Sequence, residues 1–247
     1  MTQRPVVVAH RGNSSILPPL TLAAVDAGWR AGADFVEIDI NPTADGDAAV
    51  IHDATFDATT DATGPVADRP ASALAGIDAG VRFSPVYAGQ HVPTLAEVLD
   101  VLRPHPETGL VLEIKGDWPR EALERVLTAV ADPAFEGRMI VESFSLPTMR
   151  LARDLAPQLR RELLVDAVGE DLLGLCRELD VTGCNPDGRL LLQHPDLLAT
   201  LHDGDLTVIP WTLNEPDQWA LAVESGVDGI VTDRPDRLVG WLQGRGL

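Results

Sequence analysis

Eight short apolar runs recur along the chain, each closed by turn residues and most of them separated by a stretch with helical spacing. They are Pro5–His10, Phe35–Ile40, Leu110–Lys115, Arg138–Phe144, Glu162–Val165, Val181–Cys184, Leu206–Thr212 and Gly229–Thr232. Continuous apolar runs of this length read as parallel strands buried on both faces. Helical spacing fills the gaps at Leu20–Gly32, Pro119–Val130, Asp171–Leu179, Pro195–Leu201 and Pro216–Glu224. Thr94 and Glu97 form a capping-box pattern, Asn214 stands where a cap for the helix from Pro216 would stand, and Asp233-Arg234-Pro235 opens a terminal helix. Eight strands alternating with helices predict a TIM (β/α)8 barrel. An open doubly wound sheet would want a glycine-rich phosphate loop after its first strand, and the residues from His10 to Ser15, HRGNSS, are not one. A length of 247 residues with no Ser/Gly-rich linker suits a single barrel domain over residues 1–247.

One further run, Val50–Asp53, follows Ile40 too closely for a parallel crossover, which needs about a dozen residues. Asp45-Gly46 between two strand-like runs is a strong hairpin signal. With these two as the turn residues, Asp39 faces His52, and Glu37 shares the face of Asp39. Two carboxylates and an imidazole then converge, offering hard-cation ligands and a proton-transfer group. A solvated hairpin edge would show the same pattern, and this stretch alone does not choose between them. Residues 54–94, rich in Thr, Asp, Gly and Pro, read as a small insertion after the second strand and its hairpin, at the mouth of the site.

The formal net charge of −19 argues against nucleic acid and anionic membranes as partners. A small anionic substrate is compatible with it, because a metal and a few arginines invert the field locally. No run approaches a membrane span, the amino-terminal residues lack the apolar core of a signal peptide, and two cysteines, Cys176 and Cys184, make no disulfide framework. The expectation is a cytoplasmic protein with reduced thiols and no stable membrane association. Among nineteen basic residues there is one lysine, Lys115; where composition so disfavours Lys, the survivor is a candidate for a specific task.

In a barrel of this kind the carboxyl ends of the strands build the active site. Here they carry His10-Arg11, Glu37 and Asp39, Glu113 and Lys115, Ser143, Asn185, Trp211-Thr212 and Asp233. Each has an ordinary reading on its own: a core histidine for His10, packing for Trp211, capping or turn roles for Ser143, Asn185, Thr212 and Asp233. The joint pattern favours function for His10, Glu37, Asp39, His52 and Glu113, and less strongly for Arg11 and Lys115.

Those residues lie within motifs that resemble the glycerophosphodiester phosphodiesterase family: AHRG at Ala9–Gly12, VEIDI at Val36–Ile40, DG…VIHD at Asp45–Asp53, PTLAEVL at Pro93–Leu99, LEIKG at Leu112–Gly116, WTLN at Trp211–Asn214 and GVDGIVTDRP at Gly226–Pro235. They occur in the family's order and span nearly the whole chain. The resemblance implies a barrel hydrolase of glycerophosphodiesters with one divalent cation, Ca2+ or Mg2+, held by Glu37, Asp39 and Glu113. It implies His10 and His52 as the acid/base pair and Arg11 and Lys115 on the phosphate; Trp211 joins these as a candidate substrate contact. Two departures stand out. Family members usually read P-E-N-T before the first helix, whereas this chain has Pro19-Leu20-Thr21 after Pro18. Asp57-Ala58-Thr59-Thr60 lacks the usual Arg. A phospholipase D-like enzyme acting on lysophospholipids and a catalytically weakened phosphoester-binding barrel are the competing expectations. An amidohydrolase would want a His-x-His pair on its first strand, and there is none.

Overall fold

The computed structural model describes residues 4–247. Its strands are β1 (Val6–His10), β2 (Phe35–Pro42), β3 (Ala48–Val50), β4 (Gly109–Ile114), β5 (Met139–Ser143), β6 (Arg160–Val165), β7 (Gly183–Pro186) and β8 (Gly229–Thr232). All but β3 run parallel, in the order β7-β6-β5-β4-β2-β1-β8, and β3 is an antiparallel partner of β2. Between β7 and β8 runs the segment 207–213. Thr207 bridges Gly183 and Trp211 bridges Asp187 on one side. On the other side Asp228 N donates to Val208 O, Val231 N to Pro210 O, and Leu213 N to Val231 O. This segment is the eighth staff of the barrel. It forms bridges rather than a continuous ladder, and Pro210 at its centre has no N–H to give.

The helices are α1 (Leu22–Arg30), α2 (Leu95–Leu102), α3 (Arg120–Val130), α4 (Leu146–Leu155), α5 (Leu172–Leu179), α6 (Gly188–Gln193), α7 (Leu197–Asp203), α8 (Pro216–Ser225) and α9 (Pro235–Gln243). Their starts are chemically marked. Thr21 accepts from Ala24 N, Thr94 and Glu97 form a reciprocal capping box, Ser145 accepts from Thr148 N, and Asp171 accepts from Gly174 N. Two expectations change. The box on α8 is made by Glu215 and Gln218 rather than by Asn214, whose side chain is engaged elsewhere. The short helix α6, directly after β7, is an element the helical spacing does not predict. None of the described helices is long and apolar enough to cross a membrane.

Strand alternation sorts the barrel into two environments. Val7 and Ala9, Val36, Ile38 and Ile40, and Leu110, Leu112 and Ile114 join the main core with the helices. The inward residues Val8, Val111, Ile140, Ile209 and Val231 form a small apolar plug. One step further along each strand, towards its carboxyl end, the inward positions turn polar. His10 pairs in register with Glu37, and Asp39, Glu113, Glu142 and Glu162 follow one another across β2, β4, β5 and β6.

The β2–β3 hairpin corrects the expected register. Ile40 pairs with Val50 and Pro42 with Ala48, and Ile51 N bonds to Asp39 O. Asp39 therefore stands opposite Ile51, not His52. The connection is a five-residue loop, 43–47, in which Thr43 Oγ1 donates to Asp45 Oδ1 and accepts from Asp47 N. Gly46 takes φ +75° there. A polar side chain, not a two-residue turn, sets the register. Residues 54–94 hold three short 3-10 turns, and Phe56, Val66, Leu74, Ile77 and Val92 pack with Ala49 and Ile51 as a cluster of their own.

Candidate active site

A cavity of about 250 Å³ opens at the carboxyl end of the barrel, lined among others by His10, Arg11, Glu37, His52, Glu113, Lys115, Glu142, Phe144 and Trp211. Larger hollows lie elsewhere; one of about 420 Å³ between α6 and α8 shares Trp211 and Thr212 with this cavity but includes none of the acidic cluster and neither histidine. The chemistry is in the smaller cavity.

Local backbone geometry aims the first residues of the site. Arg11 has φ +57° and Gly12 φ +80°. This left-handed pair turns the chain off β1 so that Arg11 N donates to Glu37 Oε2 at 2.8 Å. A Cβ on Gly12 would stand 2.3 Å from the Ala24 carbonyl, so only glycine lets the loop lie on the start of α1. A non-glycine residue held left-handed at such a place costs on the order of 1 kcal/mol or more; the bond to Glu37 is what that geometry secures.

Glu37, Asp39 and Glu113 each present an oxygen within 4.8 Å of the others, and all three are buried. Lys115 Nζ lies 2.8 Å from Asp39 Oδ1 and 2.6 Å from Glu113 Oε1, and Arg11 Nε lies 3.1 Å from Asp39 Oδ2. Against Asp39 these are ion-pair distances without hydrogen-bond alignment. Both Asp39 oxygens and Glu37 Oε1 are thus buried without a hydrogen-bonded partner. Burial pushes the Glu37 carboxyl well above its ordinary range, with the charges of Asp39 and Glu113 adding to it. Burial and Asp39 push Glu113 up to about 7, against the pull of Lys115. Burial raises Asp39 too, but Arg11 and Lys115 outweigh it and hold it low. Three carboxylates that converge, two of them with orphaned buried oxygens, are a donor set suited to one hard dication.

The two histidines are held differently. His10 Nδ1 meets Asp233 Oδ1 at 2.6 Å. Burial raises the Asp233 carboxyl, but the His10 hydrogen bond and charge, with donors from Asn214 and Ser14, outweigh it and hold it down at about 2. His52 Nδ1 meets Asp53 Oδ1 at 2.7 Å, both side chains about two-fifths exposed. Burial lowers the His52 pKa, opposed by the charge of Asp39. His52 reaches the cavity although it is not opposite Asp39, because the chain leaves the strand after Val50. Asn41 Nδ2 ties down that departure, donating towards the carbonyls of Ile51, His52 and Asp53 at 2.8, 3.1 and 3.3 Å.

Trp211 Nε1 donates to Asn185 O at 2.9 Å, and Phe144 meets the indole edge-on with centroids 5.4 Å apart. Beneath them lies a polar network: Asn185 Nδ2 donates to Glu142 Oε2 at 2.9 Å and Glu162 Oε2 at 2.7 Å. Burial pushes the Glu142 carboxyl well up, with the charges of Glu113 and Glu162 adding. All eight candidate residues, His10, Arg11, Glu37, Asp39, His52, Glu113, Lys115 and Trp211, thus lie at this end of the barrel, seven lining the cavity and Asp39 beneath it, paired with Glu113. Four further polar residues, Glu142, Glu162, Asn41 and Asn214, stand beside them. Glu142 and Glu162 were detectable by strand parity, since each sits an even number of residues from an inward position. Asn41, two residues past Asp39 on β2, shares that parity; Asn214, beyond the segment 207–213, does not. Ser143 has a structural role, donating to Ile114 O at 2.6 Å.

Comparisons with known proteins agree. A model described as the glycerophosphoryl diester phosphodiesterase family matches residues 10–237. A glycerophosphodiester phosphodiesterase of Caldanaerobacter subterraneus subsp. tengcongensis is 31% identical over 237 residues, covering 95% of this chain and 96% of that protein. One from Bacillus altitudinis is 29% identical over 236 residues, covering 94% and 96%. Among solved structures, an Oleispira antarctica phosphodiesterase in complex with the product sn-glycerol-3-phosphate superposes with a TM-score of 0.85 at 25% identity, covering 97% of each chain. A glycerophosphodiester phosphodiesterase from Agrobacterium tumefaciens gives 0.83 at 27% identity, covering 96% of this chain and all 100% of that one.

Proposed function

The chain belongs to the glycerophosphoryl diester phosphodiesterase family, and from that premise we propose that it hydrolyses a soluble glycerophosphodiester to glycerol 3-phosphate and an alcohol, with one divalent cation and His10 and His52 as its proton-transfer pair. The observation that carries this reading is the cluster of Glu37, Asp39 and Glu113, whose buried oxygens include three with no hydrogen-bonded partner. We take residues 1–247 as one catalytic unit, with 54–94 as an addition at its mouth.

The three carboxylates would hold Ca2+ or Mg2+, which supplies charge neutralisation for a phosphodiester oxygen. The remaining steps belong to the chain. Arg11 and Lys115 flank the carboxylates and bring two cations to the phosphate, offsetting a protein of net charge −19. His10 and His52 both line the cavity; one ring takes the proton of the attacking water, or of a neighbouring substrate hydroxyl whose cyclic ester water then opens, and the other gives a proton to the departing alcohol oxygen. Trp211, fixed by Asn185 O, and Phe144 wall the side where the substrate's organic part lies. Burial of Glu37, Asp39 and Glu113 strengthens the interactions they make. A cytoplasmic setting fits the two buried, unpaired cysteines.

The test is release of glycerol 3-phosphate from a panel of glycerophosphodiesters, run with chelator and with added Ca2+ or Mg2+. Metal-dependent release is the expected result. Absence of release from every member, in a folded and metal-loaded preparation, would overturn the proposal. A long-chain lysophospholipid in the same panel separates the phospholipase D-like alternative.

A further inference from the structure

We propose that Asp233, clamped by Asn214, is the positioning residue that fixes the tautomer and orientation of the His10 ring. This rests on the reading of His10 as a proton-transfer group. The three residues come from three neighbouring strands of the barrel: His10 ends β1, Asp233 follows β8, and Asn214 follows the segment 207–213 between β7 and β8.

The hydrogen bonds leave one arrangement. Asn214 Oδ1 accepts from Thr232 Oγ1 at 3.0 Å and from Asp233 N at 2.9 Å. With the oxygen so occupied, Nδ2 must face Asp233 Oδ2, which it meets at 2.6 Å. Ser14 Oγ reaches Asp233 Oδ1 at 3.1 Å and the His10 carbonyl at 2.7 Å. The Ser14 hydroxyl shares its one proton between these two; Asp233 Oδ2 accepts from the Asn214 amide, a carboxylate can only accept, and so the His10 nitrogen 2.6 Å from Oδ1 carries a proton. Neutral His10 is then the Nδ1–H tautomer, with the Nε2 lone pair left for substrate or water. The ordinary account of Asp233, a residue that opens the terminal helix, does not hold. The start of α9 has no side-chain cap, and Asp233 takes none of its first-turn N–H groups. The pair at His52 lacks this construction: Asp53 is its chain neighbour, and both side chains are about two-fifths exposed.

Asp233→Asn isolates the effect. The new amide must turn its NH2 either to Asn214 Nδ2, donor against donor, or to His10 Nδ1, which then has to accept and moves the ring proton to Nε2. Asn214 cannot relieve the first by flipping, because two donors hold its oxygen. We expect a kcat loss of ~10²–10⁴-fold, the range of a displaced acid–base group, with KM little changed and the thermal midpoint close to wild type. In the His10→Ala background the same substitution should cost nothing more, since the two act as one unit. Asn214→Ala, which leaves the carboxylate but loosens it, should give a smaller loss of the same kind. Nitrogen-15 NMR of the imidazole at neutral pH should show a strongly deshielded Nδ1 proton in the wild type that is missing from His10→Ala and Asp233→Asn. Near-normal kcat in a folded Asp233→Asn, an equal penalty with or without His10, or a wild-type ring protonated only at Nε2 would each overturn the assignment. The NMR measurement needs no turnover. If the wild type hydrolyses no glycerophosphodiester, the functional reading fails while the positioning of His10 is still decided by its tautomer.

Discussion

Asp39 on β2 and Glu113 on β4 are direct partners across the parallel ladder. Two carboxylates thus stand side by side where strand alternation turns both into the barrel, and Glu37, two residues before Asp39, adds a third. Lys115 and Arg11 bring positive charge to ion-pair distance of Asp39, with His52 and His10 further off, and the Lys115 and Arg11 contacts to Asp39 are not aligned as hydrogen bonds. Such a cluster is stable only with protons or a cation in it.

The cation predicts a simple response. Chelation should abolish turnover, and calcium or magnesium should restore it. Glu113→Gln keeps the volume but removes one charged oxygen donor, so metal affinity should fall by at least the roughly 10–100-fold that loss of a residue supporting a ligand costs. The fold should stay intact. Calorimetric titration of the variant checks this, and unchanged affinity would remove Glu113 from the site.

The carboxyl shifts also set how stability depends on pH. Glu113 is raised from 4.5 to about 7, and Glu37 and Glu142 are raised well above their ordinary values. Between pH 4.5 and about 7 the folded metal-free protein therefore binds more protons than the unfolded chain, and stability falls as pH rises through that window. Asp233 acts oppositely: its stabilisation is present above the ordinary aspartate value and is lost as pH drops towards 2. Melting of chelated protein should shift to lower temperature between pH 4.5 and 7.5. The gain from added Ca2+ should grow over the same interval, because metal competes with the protons. A metal shift independent of pH would contradict this.

Much of this arrangement was legible in the chain. The eight runs, their spacing and the polar residues at their ends follow from strand periodicity and from the rule that barrel sites form at carboxyl ends. The hairpin register was not, because the loop is held by the Thr43 hydroxyl and closes over five residues, a choice Asp45-Gly46 does not reveal. By sequence Asn214 and Asp233 are helix-start residues, since both precede helices and both are common caps. Their real partners lie on neighbouring strands, in the case of His10 and Asp233 223 positions apart in the chain. Local sequence grammar carries no information about such a contact.

The histidines should separate from structural residues by their kinetics. His10→Ala and His52→Ala should each lower kcat by ~10²–10⁴-fold. Both rings line the cavity and neither belongs to an apolar core cluster, so melting temperatures should change little. His52 is the more exposed and rests on an exposed neighbour, Asp53, so Asp53→Asn should cost less than Asp233→Asn. A His52→Ala enzyme with normal turnover on every substrate would make that ring a bystander.

Lys115 is the one lysine of the chain, and its ammonium stands between Asp39 and Glu113 at 2.8 and 2.6 Å. Burial lowers its pKa, but the two carboxylates outweigh that and raise it, so it is charged throughout the working range. Two roles fit this place. As a counter-ion it would only balance the carboxylates until metal arrives; as a phosphate contact it would stabilise charge that shifts in the transition state. The counter-ion role predicts that Lys115→Ala destabilises the metal-free protein, while the metal-loaded enzyme works normally. The phosphate role predicts that kcat and kcat/KM of the loaded enzyme fall together, with KM steady. We expect the second result, with Lys115→Arg recovering only part of the loss, because a planar guanidinium is larger and more weakly hydrated than an ammonium. Lysine-selective acetylation reads the same point without a substitution, once the α-amino group is controlled for. Complete modification with unchanged turnover would assign Lys115 to charge balance alone.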